Sequence, residues 1–176
     1  SSILGPRAET FPERTLQFGS DKQVSFVRVL PYDREAALAL PQVVVDRTSE
    51  AGLSLLGYSI EGRAQPGESF TCTTYWRVDE LLPGRAEWYI GTVYHLVNEA
   101  GHLVANVGKH AQWGYRWRLG DVYVQRMEIR VPEGAAAGQY RLEVGLFDAL
   151  QMRAFQMHLP DEWGPVVVPI MVGEGS

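Results

Sequence analysis

Between Leu53 and Asp148 the chain alternates apolar and polar side chains in runs separated by Pro-Gly or Gly turns. The clearest run is AGQYRLEVGLFD, residues 137–148, where Tyr140, Leu142, Val144 and Leu146 share one parity while Arg141 and Glu143 take the other. A period of two over that length puts the four apolar side chains on one face of a strand. The same reading predicts strands at 53–60, 68–78, 87–97, 103–107, 122–131 and 166–172. In the second of these Phe70, Cys72, Thr74, Trp76 and Val78 face one way; in 122–131 the inward set is Tyr123, Met127, Ile129 and Val131. Segment 87–97 is apolar with little alternation, as a strand covered on both sides would be. Glu61-Gly62, Pro66-Gly67, Pro83-Gly84 and Glu99-Ala100-Gly101 supply the turns. Pro169 marks the last strand as an edge, because proline has no N–H to give to a ladder. About seven strands with little helical periodicity predict an all-β fold, an immunoglobulin- or fibronectin-like two-sheet antiparallel sandwich, with a closed barrel as the other arrangement.

Upstream the pattern changes. Residues 1–50 read as an N-terminal extension or linker, and 51–176 as the sandwich domain. Residues 1–22 are polar, contain Pro6 and Pro12, and show no period. Residues 24–30 have room for an edge strand, stopped by Pro31. The one helix-like stretch is 33–40, DREAALAL, with Asp33 as a cap and Pro41 as a stop. At about two turns it needs packing to persist. Residues 43–46 lead into the sandwich.

Composition narrows the function. The 176 residues are 45% hydrophobic and 21% charged, an ordinary globular balance. A net charge of -5 argues against a nucleic-acid partner, which requires a concentrated basic face. No apolar run reaches the roughly 18 residues of a spanning helix. The opening Ser1-Ser2-Ile3-Leu4-Gly5-Pro6 lacks a charged-then-apolar leader and reads as mid-chain, the start of a fragment of a longer protein.

Five segments in order carry a resemblance: LLGYSIEGR (55–63), PGESFTCTTYWRV (66–78), YHLVNEAGHLVA (94–105), RLGD (118–121) and AGQYRLEVGLFD (137–148). Together they resemble the C-terminal extracytoplasmic β-sandwich module of bacterial polytopic membrane glycosyltransferases of the dolichyl-phosphate-mannose mannosyltransferase-like type. The chain departs from that module where Trp117 is followed by Arg118, Leu119, Gly120 and Asp121 and not by a Pro-Gly-Glu turn. The resemblance implies a location outside the cytoplasmic membrane and a partner, either the parent membrane domain or another envelope protein. It implies no chemistry here, since the catalytic acids of such transferases belong to the membrane half.

The candidate chemistry is correspondingly thin. His95, His102, His110 and His158 are the metal candidates, yet none has His-x-x-x-His spacing and Cys72 is the one cysteine. His95 and His102 are expected to approach across a hairpin. Asp79-Glu80 and Asp161-Glu162 read as solvated turn charges. No nucleophile elbow or phosphate-cradling loop is present, so the expectation is a non-catalytic module without a cofactor. The aromatic segment HAQWGYRW is the better lead. His110, Trp113, Tyr115, Arg116, Trp117 and Arg118 offer flat rings beside hydrogen-bond donors, which suits a glycan, if Trp113, Tyr115 and Trp117 form a platform on an exposed loop. Large aromatics more often cover an open end of the sandwich or rest on a neighbouring domain, so the alternatives to an accessory module are a carbohydrate-binding module with this aromatic loop and a plain structural spacer. Phe70, Cys72, Trp76, Tyr140, Leu142, Val144 and Leu146 are assigned to the core, with Tyr140 placed for a tyrosine-corner hydrogen bond.

Overall fold

Two antiparallel sheets facing one another satisfy the parity pattern, in a computed structural model that describes residues 16–17, 23–28, 34–108, 111–158 and 163–173. In chain order the strands begin β1 (Leu16–Gln17), β2 (Gln23–Arg28), β3 (Val43–Thr48), β4 (Leu53–Glu61), β5 (Ser69–Val78), β6 (Tyr89–Asn98) and β7 (Leu103–Val107). They continue β8 (Ala111–Trp113), β9 (Asp121–Arg130), β10 (Gly138–Asp148), β11 (Arg153–Phe155), β12 (Met157–His158), β13 (Trp163–Gly164) and β14 (Val166–Val172). The first sheet runs β1-β2-β9-β5-β4-β3. Strands from both sides of residue 50 therefore share it: β2 pairs with β9 and β3 with β4.

The second sheet is built around β10 and β6. The far flank of β10 is shared by β14 along Gly138–Val144 and by β11 along Leu146–Asp148. The far flank of β6 is shared by β7 and β8. Pro169 sits on β14 opposite Arg141, on an edge strand where its missing N–H costs no ladder bond. β12 and β13 form a separate two-stranded sheet; Ser49 bridges to Met157 of β12, and Ala64 bridges to Val172 of β14.

Register explains the core. Phe70 lies opposite Ile129, Cys72 opposite Met127, and Leu142 between Leu96 and Val168, so buried apolar rows run across each sheet and meet at the midplane. Each fully buried Leu, Ile or Val in those rows contributes about 1.5–3 kcal/mol. Phe70, Cys72, Trp76, Tyr140, Leu142, Val144 and Leu146 all belong to this cluster.

A second, smaller cluster lies on the outer face of the first sheet. The helix α1 (Arg34–Leu38) places Ala37 against Leu56 and Val122, with Tyr75 and Val124 beside them. Five residues are too few for a self-standing helix, so this packing is what holds it. It is also why β4 is buried on both faces, Leu53 and Leu55 inward and Leu56 beneath the helix. The expected two-sided cover of β6 is only partial. Ile90, Thr92, Tyr94 and Leu96 are buried inward, but on the outer face Val93 and His95 are half-buried.

Two local features give direct tests. Tyr140 Oη donates to the Ala136 carbonyl at 2.9 Å, a tyrosine-corner bond that pins the loop before β10. Tyr140→Phe should lower unfolding free energy by about 1 kcal/mol in urea melts; an unchanged midpoint would show that the bond contributes nothing net. Cys72 is fully buried, and burial pushes its thiol up to about 12. Thiol reagents at neutral pH should therefore leave native protein unlabelled and label it once denaturant is added; rapid native labelling would place Cys72 outside the core.

Candidate functional site

The interior carries a line of polar groups at inward positions of otherwise apolar strands. Thr74 on β5, Thr92 and Tyr94 on β6, and Gln125 on β9 are all buried. Thr74 Oγ1 accepts from Trp76 Nε1 at 3.0 Å and lies 2.6 Å from Tyr94 Oη. The Tyr94 hydroxyl also engages Thr92, whose own hydroxyl donates to Gln125 Oε1. Burial drives the Tyr94 hydroxyl far above its usual range, so it stays neutral and serves as a hydrogen-bonding group. The line crosses from one sheet to the other, fixing their relative register by directional bonds as well as by packing. Its end is incomplete: Gln125 Nε2 reaches only the thioether of Met127, 3.9 Å away, among the described residues. A thioether is a weak acceptor, so a buried amide keeps donor capacity to spare.

Beside that amide a cleft of about 50 Å³ opens between β9 and β6. Trp76, Trp117, Ile90 and Tyr123 wall it, and Thr92 and Gln125 supply its polar groups. Tyr123 is half-buried, the most exposed of the three rings. Its hydroxyl is raised by burial and by the charge of Asp121, with the exposed Arg118 pulling the other way.

The segment between β8 and β9 brings Trp117 to this cleft. β8 pairs with Tyr89–Gly91 of β6, and the chain then leaves it in a 3-10 turn, Gly114–Arg116. The Gly114 N–H donates to the Trp88 carbonyl at 3.0 Å. A Cβ at Gly114 would lie 2.0 Å from the Arg85 carbonyl oxygen, so the close approach there requires glycine. The Trp117 N–H then donates to the Gly114 carbonyl and the Asp121 N–H to that of Arg118, both at 3.1 Å. Gly120, at φ 81° in this last turn, donates to the Val78 carbonyl at 2.8 Å. A left-handed residue at that place favours glycine.

At Trp117 the aromatic segment takes the covering arrangement and not the exposed platform. The Trp117 side chain is 4% exposed and belongs to the core cluster, because the 3-10 turn replaces strand alternation with a tighter path that turns the ring inward. Arg116 and Arg118 are exposed. His110 lies outside the described residues, as do the side chains of Trp113 and Tyr115. The expected approach of His95 and His102 does not occur. Register sets His95 opposite Asn106, and His102 sits in the turn, its N–H donating to Asn98 Oδ1 at 2.8 Å. His158 is exposed on β12. Among the described residues no group of three or more His, Cys, Asp or Glu could hold a metal ion.

Asp79 is also corrected. It is half-buried, accepts a short hydrogen bond from Ser54 Oγ and lies 3.3 Å from Arg77 Nε, so it clamps β4 to β5 where a solvated turn charge was expected. Asp161 and Glu162 lie outside the described residues. Two polar residues outside any motif also matter: Asp148 is fully buried with Oδ1 accepting from the backbone of Tyr89, Leu150 and Gln151, and Gln125 is the polar residue at the one gap in the inward series of β9, a signal visible in the sequence.

No family model matches the chain, and neither does any curated protein. Among solved structures it is similar to one described as the C-terminal domain of wzt, with a TM-score of 0.47 and 11% identity over 74% of this chain and 78% of that one. That overlap is too loose to carry residue roles from one chain to the other.

Proposed function

We propose that this chain is a non-catalytic extracytoplasmic accessory module of a larger membrane-associated, glycosyltransferase-like protein, and that it contacts a glycan through the cleft beside Trp117. The observation that carries the glycan contact is the meeting, in one cleft, of the rings of Trp76, Trp117 and Tyr123 with an amide that has donor capacity left over. Glycan substituents carry C–H groups that suit an aromatic wall and polar atoms that need hydrogen-bond partners, and this small cleft offers both surfaces. The non-catalytic part follows from the resemblance, whose catalytic acids belong to a membrane half outside these segments. The location and the parent protein are supported by the ordered motif series from 55 to 148. The strand order β4-β5-β9 in one layer and β14-β10-β6-β7 in the other supports the immunoglobulin- or fibronectin-like reading of the sandwich.

Titration of bacterial envelope oligosaccharides against tryptophan fluorescence tests the proposal. A saturable change with a rise in melting temperature is expected, because Trp76 and Trp117 both line the cleft. Absence of any response across the panel would overturn the glycan contact, and release of sugar product by the isolated chain would overturn the non-catalytic reading.

A further inference from the structure

We infer that the cleft selects N-acetylated amino sugars by taking up the acetamido group between Trp76 and Trp117. The inference rests on the glycan contact proposed above and names its specificity. Size comes first. At about 50 Å³ the cleft is far smaller than the roughly 150 Å³ that admits a benzene ring, so no sugar ring enters and only a compact substituent fits. Charge comes second. No cationic side chain is among the described lining residues, so a carboxylate or phosphate would be desolvated without compensation.

The remaining choice is between a hydroxyl and a group with both polar and apolar parts. Trp76, Trp117 and Ile90 form an apolar wall, which a lone hydroxyl would leave facing water. Gln125, 7% exposed, has an amide N–H without an oxygen or nitrogen acceptor among the described residues. Thr92, 4% exposed, gives its proton to Gln125 Oε1 and keeps acceptor capacity on its oxygen. An acetamido group matches all three features. Its methyl packs on the wall, its carbonyl oxygen accepts from Gln125 Nε2, and its N–H donates to Thr92 Oγ1. The sugar ring then stays outside, beside Tyr123 and Arg118.

The test uses the whole chain and two sets of neutral oligosaccharides of equal length and linkage, one of N-acetylated amino sugars (gluco, galacto and manno) and one of the corresponding plain hexoses. At least one acetylated member should bind about ten- to a hundredfold more tightly than its hexose counterpart, the effect of one buried methyl and one or two hydrogen bonds. Gln125→Leu, which keeps the volume and removes the donor, should erase that preference, and Thr92→Val should weaken it. Thr92→Val is also the second variant should Gln125→Leu fail to fold. Equal binding of both sets would overturn the acetamido inference while leaving the glycan contact standing. Binding of neither set would overturn both. An N-acetyl-lysine peptide that bound as tightly as the sugars would overturn the assignment to amino sugars.

Discussion

Trp76→Ala should lower the unfolding free energy by about 3–5 kcal/mol, the cost of emptying the site of a large buried ring. Trp76 is 2% exposed, lies opposite Tyr123 across the β5–β9 ladder, and donates its indole N–H to Thr74. Truncation leaves Thr74 with Tyr94, so the polar line survives, but the void opens into the existing cleft and the walls of both lose support. For a chain of this length a loss of that size lowers the melting temperature by about 10 °C. Denaturant melts at 25 °C should show the midpoint falling at an unchanged slope, with Trp76→Phe recovering much of the loss. A Trp76→Ala protein as stable as the parent would remove Trp76 from the core and the cleft wall with it.

Gly114→Ala should cost about 2–3 kcal/mol by forcing apart two segments that touch through backbone. The added Cβ would meet the Arg85 carbonyl oxygen at 2.0 Å, and a carbonyl cannot swing aside as a side-chain tip can. Space alone sets the penalty, since Gly114 is not among the residues at positive φ. Relief requires the 3-10 turn to withdraw from Trp88, breaking its backbone bond and drawing Trp117 out of the core. A red-shifted tryptophan emission should accompany the lost stability. Gly134→Ala is the matched control: nothing lies within 4 Å of a Cβ there, and its effect should be small. Equal behaviour of the two variants would contradict the positioning role given to Gly114.

Strands such as β9 and β10 were legible because they bury one face, and a period of two records that burial directly in the order of residues. Tyr140, Leu142, Val144 and Leu146 needed nothing beyond that parity. The site was less legible for two physical reasons. Trp113, Tyr115 and Trp117 keep strand parity in sequence, but the backbone between them is a 3-10 turn set by contact with Arg85 and Trp88, residues about 30 positions away along the chain, and a local pattern cannot show a distant contact. The polar line was hidden for the opposite reason. Thr74, Thr92 and Gln125 sit at inward parity where an apolar residue is expected, and their meeting depends on how one sheet faces the other, which no single strand encodes. Pairing of β2 with β9 and β3 with β4 likewise joins segments whose own sequence shows little alternation.

Side-chain NMR of the full chain during addition of an envelope oligosaccharide tests the glycan contact most directly. The Trp117 indole N–H and the Gln125 side-chain amide, both lining the cleft, should shift together and saturate with one apparent affinity. Shifts confined to residues remote from Trp76, Trp117 and Gln125, or no shift under saturating glycan, would contradict glycan contact at this cleft.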